Sequence, residues 1–191
     1  MTTTTEISEF SPASVQDWRT WLAERGGTEP SVRLVVRRKN SLEPGITYDE
    51  AVETALCFGW IDSTGGRRDS ESFLVAFYPR KPKSTWSKRN RERATRMIEL
   101  GRMTPAGQAM IDHAHRHNLW NAHPDAENEI VPPDLATALA QHPEALRHFQ
   151  AFAPSARRIL LWWISSAVKP ETRARRITAT VERAAVTQRA Y

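Results

Sequence analysis

The stretch WIDSTGGRRDSESFLVAFYPR, residues 60–80, predicts a β-hairpin and thereby decides the fold class. Its second half, SFLVAFY, is rich in the β-branched and aromatic residues that are typical of strands. Gly65-Gly66 is expected to supply part of the connection between the two strands. Upstream, SVRLVVRRK, residues 31–39, predicts a further strand. The first half of the chain therefore contains a small, mainly antiparallel sheet.

Two helices are predicted around these strands. The first runs from Ser11, a typical N-cap residue, to Gly26, a typical stop. The second is introduced by Thr47 and Glu50, whose spacing is that of a capping box, and ends at Gly59. The first half is thus a helix–strand–helix–hairpin unit.

Only helices are predicted after Ser84. In SKRNRERATRMIEL the residues Ala94, Met97 and Ile98 are expected to face inward, and Thr104 is expected to cap the next helix. Further helical segments follow, namely short ones from Asp134 and Pro143, then SARRILLWWISSA and PETRARRITATVERAAV. Strands in one half and helices in the other give an α+β fold. We expect a disordered start at 1–9, an α+β domain at 10–120, a linker at 121–133 and a helical region at 134–191.

Composition indicates a globular protein, since 40% of the 191 residues are hydrophobic and 26% are charged. The single cysteine, Cys57, excludes an internal disulfide and a multi-cysteine zinc site. No run approaches the roughly 18 consecutive apolar residues of a membrane span, and the first residues do not resemble a signal peptide. We therefore expect a cytoplasmic protein without a membrane span.

Positive charge is concentrated in one part of the chain, residues 80–96, which we call the basic segment. The formal charge of the whole chain is +5. The basic segment has eight cations against one acid, Glu92, so it carries +7 and the remainder carries −2. The cations are Arg80, Lys81, Lys83, Lys88, Arg89, Arg91, Arg93 and Arg96. Clustered charge of one sign favours binding of the opposite sign.

The basic segment is the first candidate site. Pro79 and Pro82 favour an extended chain, and Ser84 or Ser87 can cap the helix that follows. Cations in the first turn of that helix oppose its dipole, which suggests a compensating anion. The candidate anion-binding residues are Arg80, Lys81, Lys83, Trp86, Ser87, Lys88, Asn90 and Arg91, with Trp60 and Arg67 from the hairpin. The alternative is a solvated basic face with Trp86 folded inward as an anchor.

Asp62 is the best candidate for a catalytic residue, as a general base beside an arginine. The alternative is that Asp62 accepts hydrogen bonds in a turn or forms an ion pair. No second carboxylate stands at the spacing of an acid/base pair, and the sequence lacks the G-x-S-x-G, P-loop, G-x-G-x-x-G and H-E-x-x-H motifs. An enzyme would use a pocket formed by Trp60, Asp62, Lys83, Trp86 and Asn90.

The histidine cluster HAHRH does not predict a metal site. On a helix, His113 and His117 share one face while His115 points to the opposite side. Two ligands do not complete a zinc site. No metal and no cofactor are therefore predicted.

Four stretches resemble the YdeI/OmpD-associated family, also labelled bacteriocin-protection protein. They are ETALCFGWID at 53–62, PRKPKSTWSKRNRER at 79–93, GRMTPAG at 101–107 and KPETRARRI at 169–177. The resemblance extends from about residue 18 to residue 185, and it implies a non-enzymatic role in stress resistance or in protection against bacteriocins and antimicrobial peptides. A periplasmic location is sometimes inferred for such proteins. We expect an anionic ligand or an acidic partner protein, with nucleic acid as a further candidate.

Overall fold

The computed structural model describes residues 8–186, and the chain divides into two compact units, one up to Asn121 and one from Ala122. The first unit contains a mixed four-stranded sheet and the second contains helices, so the predicted α+β class is confirmed. Of the helices within the described residues, none is long and apolar enough to cross a membrane. The first seven residues, where most of the predicted disordered start falls, lie outside the description.

The sheet has the strand order β1-β2-β4-β3. Its strands are β1 (Glu9–Phe10), β2 (Val32–Arg37), β3 (Trp60–Arg67) and β4 (Ser72–Pro79). β3 and β4 form the predicted antiparallel hairpin, and β2 pairs antiparallel with the other edge of β4. β1 runs parallel to β2. It has only two residues, too few to give a periodic sequence signal, and it was not predicted.

The hairpin connection lies later in the sequence than predicted. Gly65 and Gly66 are inside β3 and pair with residues of β4. The turn is closed instead by Asp69, whose Oδ1 accepts the backbone N–H groups of Glu71 at 2.8 Å and Ser72 at 2.7 Å. An aspartate that accepts from backbone two or three residues ahead stabilises such a turn, and this outweighed the glycine signal.

Four helices belong to the first unit, namely α1 (Val15–Arg25), α2 (Tyr48–Cys57), α3 (Lys88–Glu99) and α4 (Pro105–Arg116). The predicted capping box of α2 is confirmed, because Thr47 N–H donates to Glu50 at 2.8 Å and Glu50 N–H donates to the Thr47 hydroxyl. The prediction that the first helix begins at Ser11 was wrong. Ser14 is the N-cap, since its hydroxyl accepts from Asp17 N–H and the Asp17 carboxylate accepts from the backbone just before the helix.

The core of the first unit lies where α1 and α2 pack on the sheet. Trp18 is fully buried and meets the edge of Phe77 from β4 at 5.6 Å between ring centroids. Trp60 packs edge-on against Trp21 at 5.7 Å. Trp86, from the basic segment, is only 3% exposed and belongs to the same core. The tryptophans therefore hold the two helices and the loop that follows β4 to one sheet.

The second unit is entirely helical in its described part. Its helices are α5 (Pro124–Glu127), α6 (Pro133–Ala140), α7 (Pro143–Ala151), α8 (Pro154–Ser165) and α9 (Pro170–Ala185). Each begins with a proline, whose fixed φ suits a first helical turn and whose missing N–H costs nothing there. The core is formed by Leu135, Leu139, Phe149, Leu160 and Ile164. Residues 121–133, predicted as a linker, contain α5.

Candidate functional site

The candidate site lies where the first turn of α2 meets the start of β3. The capping box sets the beginning of α2, so that Tyr48 is its first residue. Gly59, with φ of +75°, turns the chain between α2 and β3, a conformation that glycine adopts without strain. Asp62 then follows two residues into β3. The Tyr48 hydroxyl donates a hydrogen bond of 2.5 Å to Asp62 Oδ2.

Arg80 is buried beside this pair, directly after β4. Its backbone N–H donates to the Gly59 carbonyl at 2.8 Å, which ties the end of β4 to the α2–β3 turn. Its guanidinium carbon lies 3.9 Å from the ring centroid of Trp86, and Nη2 donates to the Thr85 carbonyl at 2.9 Å. Arg80 is 6% exposed, and Nε has no hydrogen-bond partner among the described residues. A cation is thus held in the core by an aromatic face.

Burial changes the protonation behaviour of Arg80 and Tyr48. Desolvation lowers the pKa of Arg80 to about 10, against the opposing effect of the Asp62 charge. Desolvation, the hydrogen bond to Asp62 and the Asp62 charge together raise the pKa of Tyr48 to about 12, against the charges of Arg93 and Arg89. Tyr48 is therefore a neutral hydrogen-bond donor near pH 7, and its partner Asp62 is an acceptor.

Ion pairs between α2 and α3 neutralise part of the basic segment. Arg93 and Arg89 both donate to Asp49, the latter at 3.0 Å, and Arg96 pairs with Glu53. The hydrogen bond from Arg93 is the largest cause of the lowered pKa of Asp49. Arg93 is only 7% exposed, so it is a buried cation that joins α3 to α2. Three of the eight cations are thus engaged by two acids of α2.

Two of the five exposed cations of the basic segment lie in the loop between β4 and α3, residues 80–87, which we call the β4–α3 loop; the other three, Lys88, Arg89 and Arg96, are on α3. Lys81 and Lys83 are exposed, and no described residue pairs with either side chain. The loop is closed by a turn in which Ser84 N–H donates to the Lys81 carbonyl at 2.9 Å. At its end Ser87, one of the two predicted caps, is the N-cap of α3 and accepts from Asn90 N–H at 3.3 Å.

The predicted anion-binding residues do not all converge. Arg80 and Trp86 stack on each other, and Asp62 is close enough to act on the Arg80 charge. Trp60 instead points to the other side of the core and donates its indole N–H to the Gly26 carbonyl at 3.0 Å. Arg67 is exposed at the far end of β3.

The cations of the first turns of α3 have different surroundings. Lys88 is exposed on the helix. Arg91 is half-buried, and its Nη1 donates to the backbone carbonyls of Trp86 at 3.0 Å and Trp120 at 3.2 Å. Asn90 accepts from Arg93 Nη1 at 3.1 Å. Arg91 therefore helps to fix the end of the loop, and Asn90 helps to hold Arg93 in place.

Two functional partners were not singled out in the sequence, Tyr48 and the acidic face of α2. Asp49 and Glu53 are four residues apart on α2, and Arg89, Arg93 and Arg96 follow one another at spacings of four and three on α3, so each set shares one helix face. Acids along one face of α2 and arginines along one face of α3 were a usable signal for two packed helices. It was overlooked because capping and the helix dipole already explained the acids near the start of α2.

The histidines at the end of α4, the last of which is its C-cap His117, are split as predicted. The rings of His113 and His117 lie 4.3 Å apart, whereas His115 stacks on Trp120 at 4.7 Å. Across residues 8–186 no three His, Cys, Asp or Glu side chains are placed to hold a metal ion together.

Comparison with known proteins gives two family matches. A domain of unknown function, DUF8412, matches residues 10–110. The family described as "Bacteriocin-protection, YdeI or OmpD-Associated" matches residues 129–186. No curated protein and no solved structure matches the chain. The candidate site lies inside the first match. Of the four stretches that resemble the YdeI/OmpD-associated family, those at 53–62, 79–93 and 101–107 also lie inside the first match, and only KPETRARRI at 169–177 lies inside the second.

Proposed function

Because the chain belongs to the DUF8412 family through residues 10–110 and carries a YdeI/OmpD-associated segment at 129–186, we propose that it is a non-enzymatic binding protein that holds an anionic group at the β4–α3 loop. The observation that carries this proposal is the pair of exposed cations, Lys81 and Lys83, on a loop whose other side is anchored in the core. The anionic group is a carboxylate or a phosphate, both of which lysine ammonium groups bind as point charges.

The loop is prepared for binding before a ligand arrives. The stack of Arg80 on Trp86, the hydrogen bond to Thr85 and the turn at Ser84 fix the backbone from which Lys81 and Lys83 project. A fixed loop has little conformational entropy to lose on binding. Binding energy is therefore not consumed in ordering the backbone.

The local charge also favours an anion. Of the seven surplus charges in the basic segment, three are offset by the carboxylates of Asp49, Glu53 and Asp62, which leaves a formal surplus of four. Such a surplus raises the local concentration of anions and their rate of association.

The same ion pairs argue for a compact anionic group over a long polyanion. Arg89, Arg93 and Arg96 are already engaged along one side of α3, so the cations available for binding are near the loop. A nucleic acid that contacts many phosphates needs an extended row of cations. Nucleic acid is therefore a comparison ligand in the test below.

The enzyme alternative gains less support from the geometry. Its pocket requires Trp60 and Trp86 as open walls, but these side chains are 1% and 3% exposed. Asp62 accepts a hydrogen bond from Tyr48. Because the pKa of Tyr48 is raised to about 12, its hydroxyl stays protonated near neutral pH and keeps donating this hydrogen bond. These features suit a structural and electrostatic role for Asp62 better than that of a general base.

The description of the second family, which matches residues 129–186, supports the proposal of a protective role against bacteriocins. With a formal charge of +5, the chain repels cationic peptides. We therefore propose that protection is indirect and operates through the anionic partner held at the β4–α3 loop.

The test is equilibrium binding, at low salt, of inorganic phosphate, a glutamate-rich peptide and a short DNA duplex. The double variant Lys81→Ala/Lys83→Ala should weaken phosphate or peptide binding by roughly tenfold, since two exposed charge contacts at about 0.7 kcal/mol each amount to one decade. The matched control Arg33→Ala/Lys39→Ala removes two exposed cations outside the loop and should change affinity less than twofold.

Three outcomes would overturn the proposal. One is that none of the probes binds at low salt. Another is that both double variants weaken binding equally, which would indicate a diffuse charge effect. The third is tighter binding of DNA than of either compact probe, with a slope of log K against log salt that indicates six or more phosphate contacts at about −0.9 each.

A further inference from the structure

A cavity of the first unit lies between α1, α2 and the turn that follows α3, apart from the candidate site. Its volume is about 570 Å³, within the range of small-molecule sites. We propose that this cavity binds a small organic anion, with an apolar body against Val15 and Met97 and an acidic group beside Arg19 and Arg102. The site shares no residue with the β4–α3 loop, so the two proposals stand or fall separately.

The two arginines provide the anion-binding part of the cavity. Arg19 is held in place because Nη2 donates to the Arg102 carbonyl at 2.8 Å and the guanidinium lies over the Phe58 ring at 5.1 Å. The Arg102 side chain is exposed and forms no hydrogen bond or ion pair with a described residue, although its charge acts on the nearby Cys57 thiol. Guanidinium groups bind carboxylates, sulfonates and phosphates through parallel N–H donors.

Thr54 adds a polar group to the wall of the cavity. Its side chain is 5% exposed, and its hydroxyl forms no hydrogen bond with any residue in the described part of the chain. The hydroxyl is not among the fully buried polar atoms without a partner, so it reaches the water of the cavity. A polar atom of a bound ligand would take the place of that water as its hydrogen-bond partner.

The acids that line the same cavity are already engaged. The Glu50 carboxylate accepts from the backbone and hydroxyl of Thr47 at 2.8 Å each, as part of the capping box. Glu53 pairs with Arg96. The charges of the two arginines are therefore the ones left for a ligand.

Cys57 lines the cavity as well and makes the proposal testable at the site itself. It is the only cysteine of the chain and is 1% exposed. Burial raises the pKa of its thiol, so it reacts slowly and its labelling reports access through the cavity. Any molecule that occupies the cavity must slow this reaction.

The experiment uses 8-anilinonaphthalene-1-sulfonate, an aromatic sulfonate, as the probe. Its fluorescence gives a dissociation constant, and a thiol reagent applied to the native chain gives the labelling rate of Cys57. We expect labelling to slow in proportion to probe occupancy. Benzoate should displace the probe, whereas inorganic phosphate and benzyl alcohol, which each lack one half of the recognised chemistry, should not.

Variants then locate the contacts. Arg102→Gln should weaken probe binding about fivefold, as expected for one partly exposed charge contact, and the control Arg33→Gln should leave it unchanged. Thr54→Val, which keeps the shape of the side chain, should weaken benzoate binding without lowering the unfolding midpoint. Absence of probe binding, binding that leaves the Cys57 rate unchanged, or equal effects of the two arginine variants would each overturn the proposal. Loss of phosphate binding at the β4–α3 loop would leave it intact.

Discussion

Replacement of Arg80 by methionine tests whether a buried cation organises the β4–α3 loop. Methionine keeps the length and the apolar contact with Trp86 but removes the guanidinium. The substitution therefore deletes three features, namely the charge over the ring at 3.9 Å, the hydrogen bond to the Thr85 carbonyl and the partner of the Asp62 charge.

The expected loss of stability can be worked from these contacts. A desolvated cation–π contact contributes about 2 kcal/mol, and a hydrogen bond from a charged donor contributes about 1.5 kcal/mol. Removal of Nε, which is buried without a partner, returns about 1 kcal/mol. Arg80→Met should therefore lower the free energy of unfolding by roughly 2–3 kcal/mol.

Urea unfolding followed by tryptophan fluorescence measures this change, since five of the seven tryptophans lie in the first unit. The control is Lys81→Met, which alters the neighbouring exposed side chain in the same way and should shift the free energy by less than about 0.5 kcal/mol. If Arg80→Met proves as stable as Lys81→Met, the cost of burying the guanidinium equals what its contacts contribute, and the reasoning fails.

Two further predictions concern the surroundings of the site. Because the pKa of Tyr48 is raised to about 12, the Tyr48–Asp62 contact contributes fully to folding stability below pH 10, and this contribution is lost as pH rises through about 12. Asp62→Asn should lower the pKa of Tyr48 toward 10 in an NMR titration. An unchanged pKa would refute the contribution assigned to Asp62. A Cβ at Gly107 would lie 2.6 Å from the Cys57 carbonyl carbon, so Gly107→Ala should destabilise by about 1–3 kcal/mol in urea unfolding. Gly27→Ala, which meets nothing within 4 Å, is its control, and equal effects of the two would contradict the packing of α4 on α2.

Local signals in the sequence were sufficient for most elements of the fold. The capping box at Thr47 and Glu50, the Thr104 cap and the apolar strand of β4 each depend on residues close together in the chain. Such short-range chemistry fixes where an element begins and what type it is. The hairpin turn at Asp69 was missed because a glycine pair was the more familiar signal.

The candidate site was harder to predict, because its arrangement depends on tertiary contacts. The sequence left two positions open for Trp86, and the structure places it in the core with a buried arginine on its face. Ile98 was predicted to face inward, yet it is 41% exposed, because Arg93 occupies the inner face of α3 through its bond to Asp49. A charged side chain is not expected in such a position until its partner on another helix is known.

The run of cations also looked more uniform in the sequence than it is in space. Arg80 and Arg93 are buried, Arg89 and Arg96 are paired with acids of α2, and Lys81 and Lys83 remain exposed on the loop. Sequence charge counts give the net field of a segment but not the direction of each side chain. This sorting narrows the proposed anion site from seventeen residues to the β4–α3 loop.

The most direct test of the central claim is an NMR titration of the ¹⁵N-labelled chain with inorganic phosphate at low salt. We predict that backbone amide shifts change first and most strongly at Lys81, Lys83 and Ser84, with saturation. Lys81→Ala/Lys83→Ala should move these changes to roughly tenfold higher phosphate concentrations, whereas Arg33→Ala/Lys39→Ala should leave the affinity within about twofold. Saturable shifts that map outside residues 80–87, or shifts at the loop whose affinity is unchanged in the lysine double variant, would contradict this claim.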